Sequence, residues 1–117
     1  MYLRELKISN FKNIEEKEFS FSQINCFVGN NGVGKTNVLD AIYYLSFCKS
    51  FFNNNDFHSI RYEQDFFALH GDYSLNGVKE RISCTLKKER KKQIKHSGKA
   101  YTRLSEHIGK IPTVMIA

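Results

Sequence analysis

The 117-residue sequence has no tryptophan, a single proline and seven glycines, which excludes collagen-like and linker-type compositions. Its longest apolar runs are four or five residues, far short of the roughly 20 that span a bilayer, so no membrane partner is expected. Nor is there a signal-peptide layout at the N-terminus, where Arg4, Glu5 and Lys7 alternate with apolar residues. Cysteine is scarce: Cys26, Cys48 and Cys84 are odd in number and form no C-x-x-C pair, so neither a zinc site nor a redox motif is indicated. Buried, reduced thiols in a cytoplasmic protein are the expectation. What the chain does have is 41% hydrophobic residues, with ten Phe and six Tyr. That is enough to bury a core and argues against intrinsic disorder.

Charge is distributed unevenly. The formal net charge is +6, yet residues 1–80 carry 8 basic and 10 acidic side chains while residues 81–117 carry 10 basic and 2 acidic. Lys87, Lys88, Arg90, Lys91, Lys92 and Lys95 fall within nine residues. Such a run is a candidate DNA-binding segment, and equally a solvated hairpin whose lysines blunt a sheet edge. No aromatic residue interleaves Lys87–Lys95, which argues against base stacking there.

Patterning places strands at Tyr2–Ile8 and Ile14–Phe21, with Phe11–Asn13 as the connection, and a nearly all-apolar buried strand at Ile24–Val28. From Lys35 to about Phe47 the period becomes helical, with Val38, Leu39, Ile42 and Leu45 as the apolar stripe. Asp56 is placed to cap a short helix carrying Phe57 and Ile60. Phe66–Leu75 and Val78–Lys87 read as two strands joined by Asn76-Gly77, a strong hairpin signal. A second hairpin is expected around Ser97-Gly98, pairing the basic run with Lys99–Arg103. Leu104–Gly109 reads as a short helix or turn, and Thr113–Ile116 as a strand in which the chain ends.

Between the third strand and the helix lies Gly29-Asn30-Asn31-Gly32-Val33-Gly34-Lys35-Thr36, which matches the Walker A or P-loop pattern G-x-x-x-x-G-K-(S/T). The glycines permit positive φ and let main chain approach a phosphate without a Cβ in the way. Successive N–H groups then form an anion nest at the N-terminus of the following helix. In that geometry Lys35 reaches the β- and γ-phosphates and Thr36 offers its hydroxyl to Mg²⁺. ATP and Mg²⁺ are the cofactors this pattern calls for. No Walker B strand is found: Phe66-Phe67-Ala68-Leu69 is apolar, but His70 and Gly71 precede Asp72 and the segment fits a hairpin strand. No residue is a credible general base, so ATP binding rather than hydrolysis is expected of these residues.

Asn30–Ile42, reading NNGVGKTNVLDAI, resembles the corresponding stretch of the SMC-like ABC ATPases. Leu6–Ile14, Ala41–Phe51, Ile60–Tyr62 and Phe67–Gly71, together with Leu104–Gly109, resemble the RecF family within that group. Ala41–Phe51 matches the end of its Walker A helix and the Gly-(Lys/Arg)-Ser-(Phe/His)-Arg motif that follows. The resemblance implies an α/β P-loop NTPase of the ABC/SMC head type, its mixed sheet carrying the Walker A helix and antiparallel β-hairpins. It implies an N-terminal, incomplete part of an ATP-binding head domain: residues 1–50 hold strands, P-loop and helix, and residues 51–117 a hairpin-rich subdomain with the basic segment. It further implies ATP-dependent homodimerisation, weak DNA-dependent ATPase activity of the parent protein, binding to single-stranded or gapped DNA in the DNA-damage response, and cooperation with RecO and RecR. The ATP-binding residues carried over are Gly29, Asn30, Asn31, Gly32, Val33, Gly34, Lys35, Thr36 and Asn37, with Lys12 and Asn13 as second-tier contacts. Two other readings stay open: an overcoming-lysogeny or abortive-infection type ATPase, and a basic DNA-binding module with a vestigial P-loop.

Overall fold

The computed structural model describes residues 2–20, 33–52, 55–75, 77–88, 92–97 and 99–100. They form a six-stranded sheet with one α-helix on one face. The strands are β1 (Tyr2–Phe11), β2 (Ile14–Ser20), β3 (Phe66–Leu75), β4 (Val78–Lys87), β5 (Gln93–His96) and β6 (Lys99–Ala100), in the order β2-β1-β3-β4-β5-β6. Helix α1 spans Val33–Phe47, and a 3₁₀ turn spans Asp56–Ser59. Every pairing among these strands is antiparallel. The strand expected at Ile24–Val28, around which a parallel part of the sheet would form, lies outside the described residues, as do Cys26, Leu104–Gly109 and Thr113–Ile116. β1, from the first fifty residues, pairs directly with β3, so one sheet runs across both segments distinguished in the sequence.

Alternation makes the sheet two-faced. Leu6 and Ile8 of β1, Phe67, Leu69 and Tyr73 of β3, Ile82, Cys84 and Leu86 of β4 and Ile94 of β5 are buried against the helix side. Lys7, His70, Arg81 and Lys95 take the other face, as a period of two requires. The β3–β4 hairpin runs in unbroken register from Phe66↔Lys87 to Leu75↔Val78. Gly77 sits at φ 80°, the left-handed backbone that an Asn-Gly turn supplies at little steric cost.

β1 continues past the expected end at Ile8. Strict alternation would put Phe11 with Lys7 and Ser9 on the outer face. Asn10, at φ 53°, breaks the alternation, so Phe11 pairs with Ile14 and is fully buried. The connection therefore shrinks to Lys12-Asn13.

The helix begins at Val33, two residues earlier than the periodicity indicated, inside the Walker A pattern. Its buried stripe is Val38, Ala41, Tyr44 and Leu45, closed by Cys48, while Leu39 and Ile42 are half-buried. Tyr44 displaces the aliphatic stripe because its ring completes an edge-to-face cluster: it lies 6.0 Å from Phe11 and 5.2 Å from Phe67, and those two are 5.2 Å apart. Cys48 ends the helix in left-handed backbone at φ 60°, its N–H donating to the Tyr44 carbonyl at 2.8 Å. It stands where the resembling motif has glycine, the residue with no steric penalty in that conformation.

Two further boundaries differ from the sequence reading. The cap of the 3₁₀ turn is Asn55 rather than Asp56, with Asn55 Oδ1 accepting from the Phe57 N–H at 3.0 Å. Asp56 is drawn away from capping by Tyr44 and Lys92, described below. Ile60 follows the turn rather than lying in it and forms an antiparallel bridge with Phe11. The second hairpin is present as β5 and β6, but only Lys95 of the basic run enters β5, since that strand starts at Gln93.

Candidate nucleotide site

Of the Walker A residues, Gly29–Gly32 lie outside the described residues; Val33, Gly34, Lys35 and Thr36 form the first turn of α1. Asn37 is the next residue of the helix. It is buried, and its Nδ2 donates to Asn13 Oδ1 at 2.6 Å, which seats the β1–β2 turn against the start of the helix. Asn13, one of the two second-tier residues, thus lies against the first turns of α1.

Lys12, at φ 55°, extends along the same helix to the carboxylate of Asp40 and to Ser50 Oγ at 3.3 Å. Asp40 is fully buried. It also accepts from Ser50 Oγ at 2.5 Å and from the Phe51 N–H at 2.7 Å, so every charge in the cluster has an opposite charge or a donor. Lys12 thereby neutralises a carboxylate that would be costly to bury unpaired. Asp40 and Ser50 fall within the stretches that resemble the family, but their meeting depends on how the chain turns after the helix.

The same turn borders an open cleft of about 610 Å³ whose lining includes Lys12, Phe57, His58, Arg61, Tyr62 and Lys88. Its floor is fixed by the main chain: the Lys12 N–H donates to the Ser59 carbonyl at 2.7 Å and the Arg61 N–H to the Asn10 carbonyl at 2.8 Å.

The candidate DNA residues do not act as one group. Lys87, Lys88 and Lys95 are exposed. Arg90 and Lys91 lie outside the described residues. Lys92 is turned inward, with its side chain only 13% exposed. Its ammonium donates to the Cys48 carbonyl and to Asp56 Oδ2 at 2.9 Å, and stands 5.1 Å over the Tyr44 ring. The Tyr44 hydroxyl donates to the other Asp56 oxygen at 2.7 Å. Lys92 therefore ties the helix end to the 3₁₀ turn and is withdrawn from any DNA surface. Burial, with Asp56 and the nearby thiols adding to it, pushes the Tyr44 hydroxyl far above its ordinary range, so it stays a donor. Burial likewise raises the thiols of Cys48 and Cys84, both buried and free, which keeps them protonated and unreactive.

On the opposite face of the sheet, Arg81 makes a two-point contact to Asp72, Nε to Oδ1 at 2.7 Å and a terminal nitrogen to Oδ2 at 3.0 Å. That contact holds the Asp72 carboxyl below its usual range. Beside it, His70 Nδ1 meets Ser83 Oγ at 2.8 Å, and burial, with Arg81 and Lys7 adding to it, lowers the imidazole pKa. Among the described residues no helix is long and apolar enough to cross a membrane.

Comparison with known proteins gives a consistent result. The family model described as "AAA ATPase domain" matches residues 1–112. The DNA replication and repair protein RecF of Bacteroides fragilis is 52% identical over 119 aligned residues, covering all of this chain and 32% of that protein. RecF of Flavobacterium johnsoniae is 48% identical over 118 residues, covering 33% of its length. The chain thus spans about a third of the length of the curated relatives it matches. Among solved structures, the recombination mediator protein RecF with ATP, in the RecFOR pathway, superposes with a TM-score of 0.90 at 28% identity, over 99% of this chain and 32% of that one.

Proposed function

Since the chain belongs to the AAA ATPase domain family and matches the N-terminal third of RecF proteins along its whole length, we propose that it is the ATP-binding N-terminal part of a RecF-type head domain. The full-length protein would act in recombinational DNA repair and replication. The observation that carries this reading is 52% identity, over an alignment that covers the whole chain, to a protein named for that role. A RecF structure named for its bound ATP shares the fold at a TM-score of 0.90.

Within this reading the N–H groups of Gly29–Gly34 cradle the phosphates, Lys35 neutralises the β- and γ-phosphates, and the helix dipole of α1 adds to that attraction. Thr36 would hold Mg²⁺ through its hydroxyl, the ion supplying charge neutralisation between phosphate oxygens. Lys12, Asn13 and Asn37 orient the β1–β2 turn beside the nucleotide. The residues fit such a ligand: α1 opens within the glycine-rich pattern, and the nearby Asp40 is neutralised by Lys12. Lys87, Lys88 and Lys95, with Arg90 and Lys91, would meet DNA phosphates. Dimerisation with ATP, the partners RecO and RecR, and a cytoplasmic location belong to the full-length protein in this proposal.

Replacing Lys35 with Ala in the full-length protein removes a charge-assisted contact and is expected to weaken ATP binding about 100-fold. Titration calorimetry with ATP measures it, and an unchanged affinity would overturn the site assignment.

A further inference from the structure

Lys92 belongs to the basic run by sequence but not by position. It stands two residues before the buried Ile94 and shares that residue's side of the alternation, whereas Gln93 and Lys95 take the outer face. On β4 the buried Leu86 likewise turns Lys87 outward. Lys87 and Lys95 therefore share one face of the sheet, and Lys92 lies on the other. Its ammonium closes contacts across 36 and 44 positions of sequence, to Asp56 Oδ2 and to the Cys48 carbonyl. That carbonyl stands at the negative end of the α1 dipole, and the Tyr44 ring adds a cation–π contact.

These contacts fix the chain that carries the exposed lysines. The β4–β5 connection is held at both shoulders, by the Lys88 N–H donating to the Asp65 carbonyl at 3.0 Å and by Lys92 at the end of α1. β4 and β5 pair from Ile82↔His96 to Thr85↔Gln93, and Lys87 lies two residues beyond the last of these pairs. Its separation from Lys95 is thus set where the connection is anchored, not by the strand ladder alone. We propose that Lys92 is a positioning residue for DNA binding: held off the DNA by Asp56 and the end of α1, it fixes the spacing of Lys87 and Lys95 on the opposite face. The inference rests on the basic segment meeting DNA phosphates. Cations spaced in advance need no ordering of the connection when the strand binds.

The test measures binding of the full-length protein to a labelled gapped duplex over a series of salt concentrations. Lys87→Ala and Lys95→Ala are each expected to weaken binding and to lower the slope of log affinity against log salt by about one, as the loss of a phosphate contact does. Lys92→Met keeps the stem without the charge, and Asp56→Asn keeps an acceptor for Tyr44 without the acid. Each is expected to weaken binding about fivefold with the slope unchanged. Combined, they should weaken it no further than one alone, since both undo the same contact. The sign of the Asp56→Asn effect is decisive even if Lys92→Met does not fold. Were Lys92 a DNA contact, removing its acid would free a cation and tighten binding. Tighter binding with Asp56→Asn, a shallower slope with Lys92→Met, or wild-type affinity in both overturns the inference while the DNA reading stands. If Lys87→Ala and Lys95→Ala change neither affinity nor slope, the DNA reading of the segment fails, and the inference with it.

Discussion

Asp40 concentrates the energetics of the site in one side chain. It is a fully buried charge with its compensation supplied by Lys12, from a turn 28 residues earlier, and by Ser50 and the Phe51 N–H beyond the helix. Removing one partner of such a pair leaves the other buried and unpaired. Asp40→Ala is expected to destabilise by about 3 kcal/mol or more, read as a lowered urea midpoint. Asp40→Asn, which keeps the shape and part of the bonding, should cost less. None of this was legible in the sequence. Asp40 sits at a helical position where a solvent-facing acid is equally ordinary, and only the path of residues 48–52 brings Ser50 and Phe51 over it. The resemblance to a family turn drew attention to Lys12 and Asn13, and the structure sets that turn against α1 through the Asn13–Asn37 bond. Lys92 shows the converse: within a basic run it reads as solvent-facing, yet Asp56 and the Cys48 carbonyl hold it inside.

At the scale of elements, the contact between α1 and the sheet is close. A Cβ added at Gly71 of β3 would lie 2.8 Å from Leu45 Cδ1 and 2.9 Å from the Tyr73 ring, both buried. Gly71→Ala therefore forces the helix or the ring to move, and is expected to destabilise by about 1–3 kcal/mol in chemical denaturation. Strands and the hairpin were readable because their signals are local: period-two burial, and Asn-Gly at the only turn those strands could share. The helix was readable in existence and in part of its face, since Val38 and Leu45 are buried and Ile42 packs against the core. Counting apolar residues favours Leu39 and Ile42, whereas the cluster of Phe11, Phe67 and Tyr44 turns the helix so that Tyr44 faces in. A cap set by one residue, Asn55 in place of Asp56, likewise depends on tertiary partners that compete for the carboxylate.

For the molecule as a whole, the polar face of the sheet makes stability depend on acid. His70 has a lowered folded-state pKa, so its contribution is complete above the ordinary value of 6.5 and is lost as pH falls below it towards the folded value. Asp72 has its pKa lowered by Arg81, so its contribution is complete above 3.8 and disappears as pH falls through the folded value. Urea midpoints should therefore fall in two stages on acidification. His70→Gln, which can keep a bond to Ser83, should flatten the first stage, the one that sets in as pH falls below 6.5. An unaltered slope in that variant would assign the first stage to other groups.

The position of β1 has a consequence for the order in which the chain can assemble. β1 lies between β2, which follows it at once, and β3, whose Ser74 is opposite Tyr2. β1 and β2 can pair early, and β3 and β4 can close on their own short turn, but neither hairpin covers α1 alone. Joining them closes a loop of about sixty residues, from Ser9 to Ala68, the step whose entropy cost is highest and whose contacts are least local. A chain emerging from the ribosome holds one bare edge of β1 until residue 74 is free. The late docking of two preformed hairpins, rather than the growth of either, is the expected rate-limiting event, and substitutions at the β1–β3 seam should slow refolding more than equal substitutions at the β3–β4 turn.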